Sequence, residues 1–188
     1  MNNKVKMINI YTDGACSGNQ NENNIGGWGA TLEYGEHKRE LYGGEKNTTN
    51  NRMEMTALLE SLKALKKGDL IINIFSDSSY LIDCFTKKWY VKWQMNGWVT
   101  ASKTPVENKD LWEELLEEIN KHKNIHFYRV KGHLNIDNSS QINKWYGKFK
   151  TWNGSHFSME EFIYITKMNI VADALANKGM DQLRGKTF

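Results

Sequence analysis

The chain has 188 residues with one proline, 39% hydrophobic and 25% charged residues, and a formal net charge of +3 at pH 7. This length and balance predict one globular domain and exclude disorder, and no apolar run reaches the about 18 residues of a membrane span. Two cysteines without a Cys-x-x-Cys pair exclude a disulfide framework, and the N-terminus lacks the apolar core of a signal peptide, so we expect a cytoplasmic protein.

Three strands are predicted in the first quarter of the chain. Residues 5–12 alternate between apolar and polar positions, and glycines and asparagines from Gly14 to Asn24 then predict a loop. Residues 26–33 and 38–44 are predicted as two further strands that a tight turn at residues 34–36 connects. Asp13 is therefore expected directly after the first strand.

Helices and strands alternate in the remainder of the predicted pattern. The first expected elements are a helix that begins near Met53 and ends at Gly68, a strand at 70–75, and a helix capped by Ser78 or Ser79 that runs to about Thr86. A helix at 110–121, a strand at 125–130 and a last helix at 169–178, which Gly179 ends, are expected to follow. This order predicts a mixed α/β sheet with the later strands on the far side of the first. Ligands usually bind such a sheet at the carboxyl end of its first strand.

Four carboxylates are expected to converge at that end of the sheet. Asp13 and Asp77 follow the first and fourth strands, while Glu54 and Asp173 lie on the first and last helices. Such a cluster repels itself unless cations lie between its members, and hard oxygen ligands suit Mg²⁺ or Mn²⁺. Two ions about 3.5–4 Å apart would support phosphodiester hydrolysis. The alternative is that these acids are helix caps and solvated loop ends.

The chain resembles the type 1 ribonucleases H at six motifs. These are YTDGACSGN at 11–19, GGWGA at 26–30, TTNNRME at 48–54, SDS at 76–78, VKGH at 130–133 and NIVADALA at 169–176. The resemblance implies the ribonuclease H-like fold, a five-stranded mixed sheet of three antiparallel and two parallel strands flanked by helices. It also implies endonucleolytic hydrolysis of the RNA strand of an RNA–DNA hybrid, leaving 3′-hydroxyl and 5′-phosphate ends.

The resemblance also assigns roles to individual residues. Asp13, Glu54, Asp77 and Asp173 match metal ligands for two Mg²⁺ ions, and Mn²⁺ is expected to support activity as well. His133 matches a catalytic histidine that assists proton movement or product departure. Recognition of the 2′-hydroxyl needs groups that donate and accept hydrogen bonds, as amides do. By resemblance, Asn19 and Asn50 contact the hybrid near the site, and Thr49 and Asn108 match positions that hold a DNA phosphate. The backbone at Cys16 is expected to face the RNA, and the Asn51 amide also flanks Glu54, although asparagine-rich loops also occur as plain turns.

Residues 86–110 resemble the family's basic protrusion. Lysines alternate there with aromatic residues, a pattern typical of binding to a nucleic-acid backbone. The expected hybrid contacts in this segment are Lys87, Lys88, Trp89, Lys92, Trp93 and Trp98. The alternative is an amphipathic helix whose tryptophans pack in the core and whose lysines are solvated.

Three features depart from the family pattern. Ser79 stands where relatives have a longer amide or basic side chain, and Asn47 stands where an arginine often helps to hold DNA phosphate, a role that Lys46 would take over. Residues 134–168 form an aromatic-rich insertion before the last helix, in which residues 158–161 predict a capping box and a helical hairpin. We expect this insertion to leave a basic edge near the substrate. The alternatives are that it binds an unknown partner or that it is a hairpin without a role in substrate binding.

The sequence therefore predicts a single-domain, monomeric hybrid endoribonuclease without membrane association. Two alternatives stay open at this point. One is a nuclease of the same fold that cuts DNA, and the other is a catalytically silent module that binds hybrids. Cleavage of DNA without ribonucleotides would favour the first, and a lack of magnesium binding would favour the second.

Overall fold

A computed structural model describes residues 6–18, 23–66 and 68–185 of the chain. Its strands are β1 (Lys6–Ser17), β2 (Ile25–Tyr34), β3 (His37–Lys46), β4 (Leu70–Ser76) and β5 (Asn124–Arg129). They form one sheet in the order β3-β2-β1-β4-β5, in which β1, β2 and β3 pair antiparallel while β4 pairs parallel to both β1 and β5. The predicted fold class is confirmed.

Six helices are present in the described part of the chain. They are α1 (Asn50–Lys63), α2 (Ser79–Thr86), α3 (Trp89–Met95), α4 (Lys109–Ile119), α5 (Ser139–Asn153) and α6 (Met159–Leu183). The predicted cap of α2 is confirmed, since the Ser78 hydroxyl accepts a hydrogen bond from the Leu81 N–H at 3.2 Å. No described helix has the length and apolar character needed to cross a membrane.

Strand β1 is longer than predicted, and Asp13 lies within it. The strand continues because β2 stays paired to it, from Asp13 opposite Gly29 as far as Ser17 opposite Ile25. Only the parallel ladder to β4 ends where the prediction placed the strand end, at the pair Thr12 and Ser76. The antiparallel neighbour therefore carries the chain past the point where glycines indicated a loop.

Glycine misled the prediction at two helix ends. Helix α1 ends at Lys63 rather than Gly68, where the chain tightens and the Leu65 N–H donates to the Leu62 carbonyl at 3.1 Å. Gly179 does not end the last helix, which continues to Leu183. A Cβ at Gly179 would lie 1.9 Å from the carbonyl oxygen of Gly43, so this glycine permits close packing of α6 on β3.

The predicted last helix at 169–178 is the second half of α6. This helix begins at Met159 with the predicted capping box of Ser158 and Glu161. The two halves are continuous because apolar residues of α6 are buried along its whole length, from Phe162 to Met180. The insertion thus consists of α5 and the first turns of the helix that carries Asp173.

The sheet has a hydrophobic cluster on each face. On one face, α1 and α4 pack Leu58, Leu62 and Trp112 on Ile10 and Ile74. On the other face, α5 and α6 bury Phe149 and Phe162 in a cluster with Tyr11 and Phe75. The alternation of side chains along β1 and β4 supplies both clusters. The insertion therefore contributes core residues to the second face.

Helix α5 is fastened to the edge of the sheet through Asn153. Its side-chain oxygen accepts from the Arg129 N–H at 2.8 Å, and its amide nitrogen donates to the Arg129 carbonyl at 2.8 Å. This pair of bonds replaces those that a further strand would make to the exposed edge of β5. The Tyr146 hydroxyl also donates to the Phe157 carbonyl at 2.7 Å, which closes the hairpin.

We expect Phe149→Ala to destabilise the whole domain. Phe149 is 1% exposed, and truncation of a buried phenylalanine costs about 3–5 kcal/mol of unfolding free energy. Urea unfolding followed by circular dichroism should show one transition with a lower midpoint, and Met95→Ala, at a side chain that is 84% exposed, is the control. A separate early transition with an unchanged main midpoint would show that the insertion folds independently.

Candidate active site

The end of the parallel ladder between β1 and β4 brings two predicted ligands together. Asp13 and Asp77 directly follow its last pair, Thr12 and Ser76. Glu54 enters the same point from the second turn of α1 and is 3% exposed. Carboxylate oxygens of these three residues lie within 4.8 Å of one another.

Two glycines make this convergence possible. A Cβ on Gly14 would lie 2.4 Å from the backbone nitrogen of Glu54, so the glycine lets α1 approach β1. A Cβ on Gly132 would lie 2.1 Å from the Asp77 carboxylate, so the turn after β5 rests directly on that side chain. Both glycines are needed for space rather than for an unusual backbone angle.

Burial and like charge make the cluster electrostatically strained without a cation. Burial raises the pKa of Asp13 to about 8, and the charges of Asp77 and Asp173 act in the same direction. Burial, followed by the charge of Asp13, raises the pKa of Glu54 well above its usual range. Burial also raises the pKa of Asp77, while a hydrogen bond from Asn169 and the proximity of His133 lower it.

The residues present fit a divalent cation. One carboxylate oxygen of Glu54, Oε2, is buried and has no hydrogen-bond partner among the described residues. A buried acceptor without a partner is costly, and a cation would satisfy it. An all-carboxylate donor set favours hard ions such as Mg²⁺ or Mn²⁺.

Helix α6 adds the fourth acid from the opposite side. Asp173 lines the same cleft, of about 1040 Å³, as the three clustered carboxylates. Asn169, one turn earlier and 5% exposed, donates to Asp77. Asn169 was not among the predicted site residues, although its place in the motif at 169–176 was a usable signal. Its hydrogen bond orients the Asp77 carboxylate.

His133 lies at the mouth of the cleft on a strained turn. Its φ is 53°, in the left-handed region that non-glycine residues rarely adopt, and its side chain is exposed. The neighbouring Gly132 packs directly against the Asp77 carboxylate. The imidazole is thereby held beside the acids with access to solvent.

The predicted RNA contacts are partly placed by the structure. Cys16, Asn50 and Asn51 line the cleft beside the acids, and the exposed Ser79 lies on its wall. The Cys16 thiol donates weakly to the Thr48 carbonyl at 3.8 Å. Asn19 lies outside the described residues.

Arg52, which was not among the predicted site residues, lies one turn from Thr49 on α1 and reaches Asn108 with its side chain. The Thr49 hydroxyl accepts from the Arg52 N–H at 3.2 Å, and the Arg52 guanidinium donates to the Asn108 side-chain oxygen at 3.3 Å. Arg52 also pairs with Glu45 at 3.2 Å and Asp110 at 2.9 Å. The TTNNRME motif could have identified Arg52, because this residue lies one turn after Thr49, the cap of α1.

The lysines of the protrusion lie on the surface, whereas Trp93 lies in the core. Lys88 and Lys92 are exposed, and Lys87 pairs with Asp83 at 3.0 Å and lies over the Trp89 ring. Trp93 is only 9% exposed and stacks edge-on against Trp112, while Trp98 is half-buried beside it. The structure therefore places Trp93 in the core, which leaves it little surface for the expected contact with a hybrid. None of these residues lines the acidic cleft.

Comparisons with known proteins find similarity at the level of family and fold. The RNase H family profile matches residues 5–144, a span that contains Asp13, Glu54, Asp77 and His133 but not Asp173. A protein named Ribonuclease H from Thermoanaerobacter sp. (strain X514) is 53% identical over 133 residues, which cover 71% of this chain and 83% of that protein. One of the same name from Clostridium botulinum (strain Hall) is 46% identical over 140 residues, covering 74% and 93%.

Solved structures show the same fold. LC9-RNase H1, described as a type 1 RNase H with the type 2 active-site motif, is 25% identical with a TM-score of 0.61, covering 90% of this chain and 86% of that chain. The PFV RNase H domain has the same TM-score of 0.61 at 20% identity and supports the fold alone, over 95% of this chain.

The raised pKa of Asp13 predicts how the metal-free protein responds to pH. Between the unfolded value near 4 and the folded value of about 8, the folded chain holds more protons than the unfolded chain. The contribution of Asp13 to the free energy of unfolding is complete below about pH 4 and is lost as the pH rises through about 8. The melting temperature in chelator should therefore fall across this range, and Asp13→Asn should reduce the fall.

Differential scanning fluorimetry checks this, with Asp69→Asn as a control that removes one exposed charge at the opposite end of the sheet. Each 1 kcal/mol corresponds to about 2–4 °C for a chain of this size. Added Mg²⁺ should raise the melting temperature at the alkaline end, because it binds the ionised cluster. Equal pH slopes for Asp13→Asn and Asp69→Asn would contradict the assignment.

Proposed function

The chain belongs to the ribonuclease H family, and we propose that it is an endonuclease that hydrolyses the RNA strand of RNA–DNA hybrids, leaving 3′-hydroxyl and 5′-phosphate ends. The observation that carries the proposal is the cluster of three carboxylates within 4.8 Å, with one Glu54 oxygen that no described group satisfies. Family membership supplies the hydrolase class and the dependence on metal. The carboxylate cluster is the place where the metal would bind and hydrolysis would occur.

The proposed ligands are Asp13, Glu54, Asp77 and Asp173, and the proposed cofactor is a pair of Mg²⁺ ions that Mn²⁺ can replace. When bound, such ions activate a water and stabilise the leaving oxygen of a phosphodiester. The chain's own part is preorganisation. Gly14 and Gly132 allow the close approach, and the hydrogen bond from Asn169 keeps the Asp77 carboxylate oriented.

His133 is proposed to move protons at the edge of the site. The left-handed backbone and the contact of Gly132 with Asp77 hold the imidazole beside the acids, while its exposure keeps it in exchange with solvent. A histidine in this position is able to take a proton or assist the departure of the product.

Selection of RNA is proposed to rest on the N-terminal end of α1 and the end of β1. The Asn50 and Asn51 amides line the cleft next to Glu54 and can both donate to and accept from a 2′-hydroxyl. Cys16, near the end of β1, lines the same cleft, and its backbone is proposed to face the RNA. Asn19 keeps the same proposed role from the sequence motif alone.

The DNA strand is proposed to be held on the other side of α1. The family motif assigns both Thr49 and Asn108 to a DNA phosphate. In the structure Thr49 caps α1, and the guanidinium of Arg52 on the same helix donates to the Asn108 side chain. In the protrusion, Lys87, Lys88 and Lys92 are the further cations proposed to contact this strand, and Lys87 lies over the Trp89 ring. We propose that the single domain at 1–188, with its protrusion at 86–110 and insertion at 134–168, acts as a monomer.

Asp13→Asn tests the chemistry. The substitution keeps the shape of the side chain but removes a proposed ligand charge, so cleavage of an RNA–DNA hybrid with Mg²⁺ should fall by orders of magnitude. The assay compares matched RNA–DNA, RNA–RNA and DNA–DNA duplexes, and wild type should cut only the RNA of the hybrid. Cleavage of the DNA duplex, or full activity of Asp13→Asn, would refute the proposal.

Lys88→Gln with Lys92→Gln tests the protrusion. Loss of each phosphate contact should reduce the slope of log affinity against log salt by about 0.7–0.9. The matched control is Lys6→Gln with Lys66→Gln, which removes two exposed lysines near the end of the sheet where β1 and β4 begin. Binding is measured by fluorescence anisotropy in chelator, so that no cleavage occurs. Identical slopes for the two pairs would mean that the protrusion lysines are merely solvated.

A further inference from the structure

Helix α5 of the insertion forms one wall of the acidic cleft. Trp145, Lys148 and Trp152 follow one another at helical spacing and line the cleft. Arg129 and Lys131, at and just after the end of β5, line the same wall. Three cations and two indole rings thus face the space that contains the proposed ligands.

The cations and the rings hold one another in place. The Arg129 guanidinium lies 4.4 Å from the Trp152 ring centre, and the Lys148 and Lys131 ammonium groups lie 4.6 and 5.2 Å from that of Trp145. The two rings are 6.0 Å apart. Cation–π contacts of this kind orient the charges but do not neutralise them.

The cations of this wall form no ion pair among the described residues, although the acids of the proposed metal site line the same cleft. Helix α5 contains no aspartate or glutamate, and among the described residues Arg129, Lys131 and Lys148 make no salt bridge. Arg52, by contrast, pairs with two acids. A surface that gathers three unpaired cations is suited to an anionic ligand.

Docking of α5 accounts for only part of this arrangement. Ile142 and Phe149 are buried, Trp145 packs partly against the same cluster, and Asn153 holds the helix to the edge of β5. Trp145 and Trp152 are only half-buried and keep surface toward the cleft. The cleft-facing side chains are thus available for binding.

We propose that this wall, made of Arg129, Lys131, Trp145, Lys148 and Trp152, binds the phosphodiester backbone of the nucleic acid that continues from the cleavage position. The cations contact phosphates, and the indole rings pack on sugars or on unpaired bases. The inference rests on the proposed function, since it takes the substrate in the cleft to be nucleic acid. The backbone belongs either to the flanking hybrid duplex or to a single-stranded extension of it.

Two lysines of α5 provide a matched test. Lys148 lies over Trp145 at 4.6 Å and lines the cleft, whereas Lys150 lies over the Tyr146 ring at 4.4 Å and does not. Lys148→Gln and Lys150→Gln remove the same charge and the same kind of ring contact from one helix. Lys148→Glu and Lys150→Glu enlarge the effect by reversing the charge.

Binding is measured in chelator across a range of salt, with a blunt RNA–DNA hybrid and with the same hybrid carrying a single-stranded RNA extension. We expect Lys148→Gln to weaken binding several-fold and to lower the salt slope by about 0.9 for a duplex contact or about 0.7 for a single-stranded one. Loss with both substrates places the flanking duplex on the wall, and loss with the extended one alone places the single strand there. Thermal melts confirm that the variants are folded.

Equal affinity and salt slope for the Lys148 and Lys150 variants, on both substrates, would overturn the inference. Cleavage of hybrid by the wild-type protein is assayed separately. Failure of that cleavage would overturn the proposed function, whereas cleavage together with indistinguishable Lys148 and Lys150 variants would overturn the role of the wall alone.

Discussion

The mutual repulsion of carboxylates buried at the end of the β1–β4 ladder is the constraint around which the site is built. Parallel pairing ends at Thr12 and Ser76, and each strand there delivers an acid to the same point. Burial prevents water from screening the charges, which is why the pKa of Asp13 rises to about 8. The protein maintains this costly arrangement by packing backbone against it at Gly14 and Gly132, and a cation would complete it.

Helix α6 ties this site to the inserted segment. Its first half buries Phe162 against the sheet, and its second half brings Asn169 and Asp173 to the cleft. The Tyr164 hydroxyl donates to Glu33, which also pairs with Lys38 at 3.2 Å, so the same helix is fixed to β2 and β3. The insertion and the fourth acid consequently share one rigid element. A change in the packing of the insertion would be transmitted to Asp173.

Local chemistry was predictable where the signal and its effect lie within one turn. Ser78 and Ser158 cap their helices as predicted, because a hydroxyl needs only the next turn's N–H groups as partners. Glycine was ambiguous for the opposite reason. In the sequence, Gly14 and Gly179 look like glycines that mark a turn or a helix end. In the structure they let another element approach closely, and that element is distant in sequence.

The sequence by itself determined the chemical classes of the site: four acids, a histidine and amides in motifs whose order points to one family. It also determined the succession of strands and helices along the chain, because β-strand periodicity and helix spacing are local properties. Only the tertiary structure decided that Asn169 orients Asp77 and that the Arg52 guanidinium contacts Asn108. It also decided that α5 lines the cleft. These features depend on distances between segments far apart in the chain, which no residue spacing encodes.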